Sequence, residues 1–505
     1  MKKLTHFYWI GIWLFVSCQT PETQDSTTSI LEDILENKDS FYYLDFEQYP
    51  KEKKALPIGV FDSGTGGLTV LKAIVNFDEN NNDDRSEGAD NLLDFKQESF
   101  VYLGDQANMP YGNYSKENKV DLLKEHIIKD AQFLLSNKYY ASNKDQSYKQ
   151  DKQPVKAIVV ACNTATAYGK DYIEGFLASA NTDIKVIGVI DAGVKGALES
   201  MEKDEDGIIG ILATAGTVAS KGYSRTIEVF KKKMGYTGQI ETFQQGGVGI
   251  AEAVDEDTDY FIKGLSKPRS TYKGPALAGD LLIDKTLLDI YNFDFDQGKM
   301  LCDATNPDDC SIMQINDSEN YVRFHLVTLM EQIRKSNTDN VLKSIILGCT
   351  HYPYLTKEID KVLGELYNYQ TADGVYLYRK NMKENVLLID PAVNTARELY
   401  AHLKRSNSFS PDGDINKSEF YISVPNNGNS LIKTDQNGNF TYDYKYGREA
   451  HQIQEYVKVV PFSRKNISSD ILNRFQKQIP YVFELMQKFN AENTKTSDLP
   501  IESRI

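Results

Sequence analysis

Cysteine, excess positive charge and long apolar runs are all scarce in this sequence. Only five cysteines occur among 505 residues, too few for a disulfide scaffold in a chain of this length. Lysine and arginine number 57 against 72 acidic residues, a formal charge of −15. Because phosphate binding needs clustered basic side chains, nucleic acid is not expected as the main partner. After the N-terminal segment, no apolar stretch of the sequence is long enough for a membrane-spanning helix.

The composition is nevertheless that of a folded protein. Hydrophobic residues make up 41% of the chain and aromatic residues 11%, which is enough to form a sizeable core and argues against wholesale disorder. A length of 505 residues predicts two or more domains.

The N-terminus is typical of an export signal. Two lysines near the start precede an almost wholly apolar run at 6–16, too short to cross a bilayer but suited to a signal peptide. The run ends at Ser17 and Cys18, a pattern that resembles the lipobox of bacterial lipoproteins. The resemblance predicts a signal peptide at 1–18, lipidation of Cys18 and anchoring in the cell envelope, facing the periplasm or at the surface of the outer membrane. A plain secretory signal, with Cys18 incidental, is the alternative.

The body of the chain has the pattern of an α/β protein. Residues 19–55 are polar and are expected to form a tether. An apolar run at 57–61 then leads through a glycine-rich turn at 62–67 into apolar residues at helical spacing. Similar strand-like runs follow at 100–103, 157–160, 186–190, 208–212, 344–347 and 386–389. Continuous apolar strands that alternate with helices predict parallel sheets buried on both faces.

An internal repeat indicates two similar halves. Two pairs of segments align: 156–164 with 343–351, and 58–64 with 209–216. The first pair places Cys162 and Cys349 at equivalent strand ends, where open α/β sheets bind ligands. We therefore predict two similar parallel-sheet α/β domains with the active site in the cleft between them. The predicted bounds are 56–183 with 385–490 for the first domain and 184–384 for the second.

Three segments have the composition of insertions. They cover 76–98, 137–154 and about 256–321. Their Asp/Asn clusters fit no EF-hand spacing and are expected to be solvated loops. Cys302 and Cys310 lie in the longest segment, and both a local disulfide and two free thiols remain open. The tail after about residue 464 has a helical period, and we expect it to pack on the first domain without contributing to a site.

Five motifs occur together in the order found in glutamate racemases, and the chain resembles that family over about residues 57–462. The motifs are Asp62-Ser63-Gly64-Thr65-Gly66-Gly67, Gly104-Asp105 with Pro110-Tyr111-Gly112, Cys162-Asn163-Thr164, Ala213-Thr214-Ala215-Gly216-Thr217, and Gly348-Cys349-Thr350-His351 with Pro353. The resemblance implies an isomerase that racemises an amino acid, glutamate in the first place, and that needs neither cofactor nor metal. It implies a small-molecule amino-acid substrate and leaves a homodimer open.

The chemistry of racemisation explains the need for two cysteines. The proton on Cα must leave from one face and return on the other, so two acid/base groups must flank the carbon. Cysteine suits this task because its ordinary pKa, about 8.5, lies near neutrality. One thiol must start as the thiolate and the other as the thiol. A carbanion that the site stabilises electrostatically needs no electron-accepting cofactor.

The resemblance also implies roles for the neighbouring residues. Asp62 is expected to assist Cys162 and His351 to assist Cys349, and a nearby imidazolium lowers a thiol pKa by its charge. The family has a further acidic residue beside the second pair, and here Glu252 and Asp255 are both candidates. The expected substrate-binding residues are Ser63, Pro110, Tyr111, Gly112, Asn163, Thr164, Thr214, Thr217 and Thr350.

Several alternatives compete with this interpretation. A zinc site at the cysteines would need a fourth ligand, and the sequence has no paired CxxC spacing. The glycine-rich turn lacks the endings of nucleotide-binding loops. Asp105 fits a structural and a functional role equally well. A non-catalytic amino-acid binding lipoprotein on the same fold is the alternative from another class, and the predicted export favours aspartate or another amino acid as a second choice of substrate.

Overall fold

A computed structural model describes residues 26–505 of the chain. The predicted signal peptide at 1–18 and the lipidation site Cys18 lie outside these residues, so export, lipidation and the cell-envelope location stay predictions. Within the described range, no helix combines the length and apolar character needed to cross a bilayer.

Twelve strands and sixteen α-helices make up the regular structure of this range. The strands are β1 (Ile58–Asp62), β2 (Phe100–Gly104), β3 (Ala157–Val160), β4 (Lys185–Gly188), β5 (Gly207–Ala213), β6 (Ile240–Gly246), β7 (Met300–Cys302), β8 (Met313–Ile315), β9 (Leu342–Gly348), β10 (Met382–Ile389), β11 (Glu419–Pro425) and β12 (Val457–Pro461). The helices are α1 (Ser26–Leu35), α2 (Leu68–Val75), α3 (Gly112–Lys116), α4 (Val120–Leu135), α5 (Asn163–Ser179), α6 (Val189–Glu199), α7 (Ala215–Ser220), α8 (Gly222–Met234), α9 (Ile250–Val254), α10 (Leu288–Tyr291), α11 (Ser318–Lys335), α12 (Thr356–Asn368), α13 (Pro391–Arg405), α14 (Tyr442–Gly447), α15 (Ser469–Gln478) and α16 (Pro480–Glu492).

The first sheet has the order β12-β11-β2-β1-β3-β4, in which only β12 runs antiparallel to its neighbour. Its central strand β1 is buried along its whole length and pairs in parallel on both sides. Helices cover both faces of such a strand, which is why its sequence is a continuous apolar run rather than an alternating one.

The second sheet repeats the central part of the first. Its order β10-β9-β5-β6 is wholly parallel, and it matches β4-β3-β1-β2 strand for strand. Cys162 follows β3 and Cys349 follows β9, the equivalent strand. The predicted α/β fold with two similar parallel sheets is thereby confirmed, and both cysteines lie at carboxyl ends of strands.

In the structure, the chain crosses from one sheet to the other later than at the predicted domain boundaries of 184 and 385. β4 at Lys185–Gly188 completes the first sheet beside β3, and β10 at Met382–Ile389 completes the second beside β9. Each is the last strand of a strand–helix–strand unit, which places it next to the strand that precedes its helix. An apolar run does not indicate which of two sheets it joins, so the sequence alone could not fix these limits.

Residues 26–55 belong to the first domain rather than to a tether. Ile30 and Ile34 of α1 are fully buried in the core of that domain, against α4. The hydroxyl of Tyr49 donates to the carbonyl of Val155 at 2.7 Å, which fixes the end of the segment. The polar composition of this segment predicted a tether, but two apolar residues one helical turn apart are enough to anchor it in the core.

The tail and the longest insertion both pack on the domains. Phe475 of α15 and Met486 of α16 are buried in the core of the first domain, as the sequence predicted. The insertion forms the hairpin of β7 and β8 and packs on the core of the second domain. Cys302 and Cys310 are joined there in a disulfide, so the alternative with free thiols is wrong.

Candidate active site

One cavity of about 530 Å³ brings together every catalytic and substrate-binding residue that the sequence predicted. It is lined by residues of both domains, among them Asp62, Ser63, Pro110, Tyr111, Gly112, Cys162, Asn163, Thr164, Thr214, Thr217, Cys349, Thr350 and His351. Cys162 and Cys349 are both buried, and neither takes part in a disulfide. Two thiols from equivalent strand ends therefore line one cavity.

Cys162 occupies the N-terminal cap of α5. Its sulfur accepts a hydrogen bond from the backbone N–H of Ala165 at 3.4 Å, and its thiol donates to Ser63 Oγ at 3.7 Å. Burial raises the pKa of this thiol to about 12, and the charge of Asp62 acts in the same direction. Cys162 therefore rests as the protonated thiol at neutral pH.

Asp62 ends β1 and is held by the glycine-rich turn that follows. Its Oδ2 accepts from the backbone N–H groups of Gly64 at 3.1 Å and Gly67 at 3.0 Å. A Cβ at Gly67 would lie 2.5 Å from that of Asp62, so only glycine allows this approach. Burial raises the pKa of Asp62, and these hydrogen bonds together with one to Cys162 oppose that rise.

Cys349 has a cationic neighbour instead of an anionic one. The Nδ1 atom of His351 lies 3.6 Å from the Cys349 sulfur, and its Nε2 atom lies 3.2 Å from Oδ2 of Asp255. Burial lowers the pKa of His351, but the contacts with Asp255 and Cys349 outweigh burial and raise it to about 10. The ring is therefore an imidazolium at neutral pH, and its cationic charge faces the Cys349 sulfur.

Of the two acidic candidates that the sequence left open, Asp255 is the one that contacts His351. Glu252 instead folds back on its own helix and accepts from the backbone N–H of Gly249 at 2.9 Å. Burial raises the pKa of Asp255, but the hydrogen bond and charge of His351, with a smaller contribution from Arg474, lower it overall. Asp255 is thus a carboxylate.

Small polar side chains complete the lining around the thiols. Thr214 caps α7, accepts from the backbone N–H of Thr217 at 3.3 Å and donates to its hydroxyl at 3.0 Å. Asn163 accepts from the hydroxyl of Tyr223 at 2.8 Å, which leaves its amide N–H groups without a partner in these contacts. Such neutral donors suit the carboxylate groups of an amino acid.

Tyr111 lines the cavity, but its hydroxyl is engaged by two buried carboxyl groups. It lies 2.6 Å from a carboxylate oxygen of Asp105 and 2.6 Å from one of Asp130. A hydroxyl has one proton, so one of the carboxyl groups must itself be protonated. Burial, helped by the charge of Asp105, raises the pKa of Asp130 well above its ordinary value. Asp105 also accepts from Ser423 at 2.6 Å, and this buried network gives it a structural role.

The C-terminal tail also contributes to the cavity, contrary to the sequence prediction. Ile471, Arg474, Phe475 and Gln478 of α15 line it together with Ile479. Nη1 of Arg474 lies 2.6 Å from Oδ1 of Asp255. The helical period of this segment was visible in the sequence, but the period gives no information about the surface on which the helix docks.

Sequence comparisons relate the chain to glutamate racemases, which confirms the resemblance drawn from the motifs. No known family profile matches the chain. The glutamate racemase of Lactobacillus johnsonii is 26% identical over 365 residues, covering 72% of this chain and 87% of that protein. That of Thermoanaerobacter pseudethanolicus is 25% identical over 379 residues, covering 75% and 91%. That of Aquifex pyrophilus is 28% identical over 326 residues, covering 65% and 83%.

Solved structures of the same kind are similar to the chain at lower identity. The glutamate racemase isoform RacE1 of Bacillus anthracis has a TM-score of 0.42 at 22% identity and covers 73% of this chain and 89% of its own. The glutamate racemase of Francisella tularensis in complex with D-glutamate has a TM-score of 0.39 at 20% identity, covering 78% and 95%.

Proposed function

We propose that this protein is an amino-acid racemase that uses Cys162 and Cys349 as acid and base on opposite faces of the substrate Cα, without a cofactor. The observation that carries the proposal is the placement of two unpaired thiols, from equivalent strand ends of two sheets, in one cavity. Sequence relatives that are glutamate racemases, aligned over more than four fifths of their length, support the same conclusion.

The surroundings of the two thiols suit them to different tasks. Cys349, beside the imidazolium of His351, acts as the base that removes the Cα proton from one enantiomer. Cys162, whose pKa is raised to about 12, is the thiol that returns a proton to the opposite face. One C–H bond breaks and another forms, and the enzyme is left with the thiolate on Cys162 and the thiol on Cys349. The reverse reaction, or proton exchange with solvent, restores the resting state.

The proposed substrate is glutamate. Sequence relatives act on glutamate by their names, and the cavity of about 530 Å³ is lined by hydroxyl and amide groups together with the cation Lys116. These groups suit an amino acid with two carboxylates. Aspartate and other amino acids are the competing substrates. The predicted signal peptide adds the proposal that the enzyme works in the cell envelope, on amino acids outside the cytoplasm.

A panel of pure L- and D-amino acids tests the proposal with protein that begins at residue 19. We expect formation of the opposite enantiomer from glutamate under reducing conditions, measured by chiral chromatography. Cys162→Ser and Cys349→Ser should each abolish racemisation, and each should retain Cα proton–deuterium exchange for one enantiomer only. A non-catalytic binding protein would be stabilised by an amino acid but would exchange no Cα proton, and that result would exclude the enzyme.

A further inference from the structure

Helix α15, in the C-terminal tail, closes one side of the cavity. It is anchored in the core of the first domain through Leu472 and Phe475, which are both buried. The adjacent face of the same helix turns Ile471, Arg474 and Gln478 toward the cavity. The first domain thus covers, with its last helices, a site whose second thiol belongs to the other domain.

Arg474 is the first group in a continuous series of contacts that ends at that thiol. Its Nη1 atom lies 2.6 Å from Oδ1 of Asp255. The other carboxylate oxygen of Asp255 lies 3.2 Å from Nε2 of His351. The opposite ring nitrogen of His351 lies 3.6 Å from the sulfur of Cys349. Each side chain therefore contacts the next with a different atom.

This series is partly withdrawn from solvent, unlike an ordinary surface ion pair. The side chain of Arg474 is 29% exposed, that of Asp255 30% and that of His351 23%. A carboxylate held only by His351 could rotate about its side-chain bonds. A second cation on its other oxygen fixes both its position and the ring that it contacts.

We propose that Arg474 is a positioning residue for Cys349: it fixes Asp255, which holds His351 against the Cys349 sulfur, and it ties α15 to the second domain across the site. The catalytic consequence rests on the proposed racemase function, whereas the effect on the thiol does not. None of these contacts involves Cys162. Loss of Arg474 should therefore change the reactivity of Cys349 and leave that of Cys162 unchanged, whereas general loosening of the cavity would change the reactivity of both.

Three variants test the role of this side chain. Arg474→Gln removes the charge, Arg474→Lys keeps a cation, and Lys477→Gln removes an exposed cation from the same helix as the matched control. The readout is the alkylation rate of each cysteine by iodoacetamide at neutral pH, measured by mass spectrometry in the folded protein. We expect Arg474→Gln to slow the alkylation of Cys349 by about tenfold relative to that of Cys162. Arg474→Lys should recover part of this loss, and Lys477→Gln should behave as wild type.

Racemisation and enantiomer-specific exchange give the catalytic consequence. In Arg474→Gln, kcat should fall by about tenfold with KM within about twofold, and Cα exchange should be lost mainly for the enantiomer that Cys162→Ser still exchanges. Equal alkylation of both thiols in Arg474→Gln and wild type, or an equal change in both, would overturn the positioning role. A selective change at Cys349 in a protein that racemises no amino acid would uphold that role and reject the proposed function.

Discussion

Replacing Asp255 with asparagine tests the electrostatic surroundings of Cys349. The carboxylate contacts His351 Nε2 at 3.2 Å, and the opposite side of that ring faces the Cys349 sulfur at 3.6 Å. Asparagine keeps the size of the side chain and one oxygen acceptor, but it removes the negative charge. The ring therefore keeps a hydrogen-bond partner while its cationic form loses a fixed counter-charge.

The expected size of the effect follows from the pKa of His351. Burial lowers this pKa, but the contacts with Asp255 and Cys349 outweigh burial and raise it from 6.5 to about 10. At about 1.36 kcal/mol for each pKa unit, the rise favours the imidazolium by about 5 kcal/mol. The contacts with Asp255 and Cys349 share this preference, and a single opposite charge moves a pKa by about 1 to 3. We expect Asp255→Asn to lower the pKa of His351 by about 2.

The direction in which activity depends on pH follows from the charge that His351 must carry. A reaction that needs the imidazolium is lost as the pH rises through the pKa of His351. Wild type should keep its activity to near pH 10, whereas Asp255→Asn should lose it about two pH units lower. The activity ratio of wild type to variant should therefore grow between pH 7 and pH 9. Asp257→Asn, which removes an exposed carboxylate two residues away, is the matched control.

Two measurements check this prediction independently. Histidine-selective carbon-13 NMR follows the titration of the ring, with His351→Asn used to assign its resonance, and the pH profile of kcat/KM follows the reaction. The reasoning fails if His351 of the wild type titrates near its ordinary value of 6.5. It also fails if the ring titrates at the same pH in Asp255→Asn and Asp257→Asn.

Three further substitutions test the packing of the first domain. Gly67→Ala should destabilise the protein by about 1 to 3 kcal/mol in urea unfolding and abolish activity, because its Cβ would lie 2.5 Å from that of Asp62. Gly175→Ala is the control and should be tolerated, because a Cβ at this position on α5 meets open space. Tyr111→Phe should lower stability by about 1 to 3 kcal/mol, because the carboxyl groups of Asp105 and Asp130 lose their hydrogen-bond partner, and KM should stay within about twofold. A large rise in KM without loss of stability would contradict the structural role of this hydroxyl. Ile30→Ala should cost about 2 to 5 kcal/mol in the same assay, and no cost would mean that α1 does not pack on the domain.

The part of the site that could be predicted from sequence is the part carried on strand ends. Cys162 and Cys349 follow equivalent apolar strands, and the position of each along its strand fixes the edge of the sheet at which it emerges. The family resemblance implied that Asp62 and His351 assist these thiols, and the fold explains why: His351 is two residues from Cys349, and Asp62 ends the strand next to that of Cys162. Pairing of neighbouring strands is enough to bring such residues together.

The remaining contacts depend on interactions that no local pattern encodes. The choice between Glu252 and Asp255 turned on where the short helix α9 ends and on the cap that Glu252 makes to Gly249. Arg474 is far from Asp255 in sequence and reaches it only because α15 docks across the cavity. Periodicity indicates that such a helix is amphipathic, but not which surface it covers.

Cys162 and Cys349 occupy equivalent positions in the two sheets, but their neighbours differ, so the two thiols are not interchangeable. Cys162 shares its surroundings with the carboxyl group of Asp62, whereas Cys349 faces the cationic ring of His351. Enantiomers have equal free energies, so this asymmetry cannot favour either product at equilibrium, and kcat/KM must be the same in both directions. Under the proposed mechanism, each turnover in one direction leaves the thiolate on Cys162 and the thiol on Cys349. The enzyme returns to its starting form either by the opposite reaction or by proton exchange with solvent, in which Cys162 gains a proton and Cys349 loses one. We expect this exchange to limit sustained turnover in one direction when substrate is abundant.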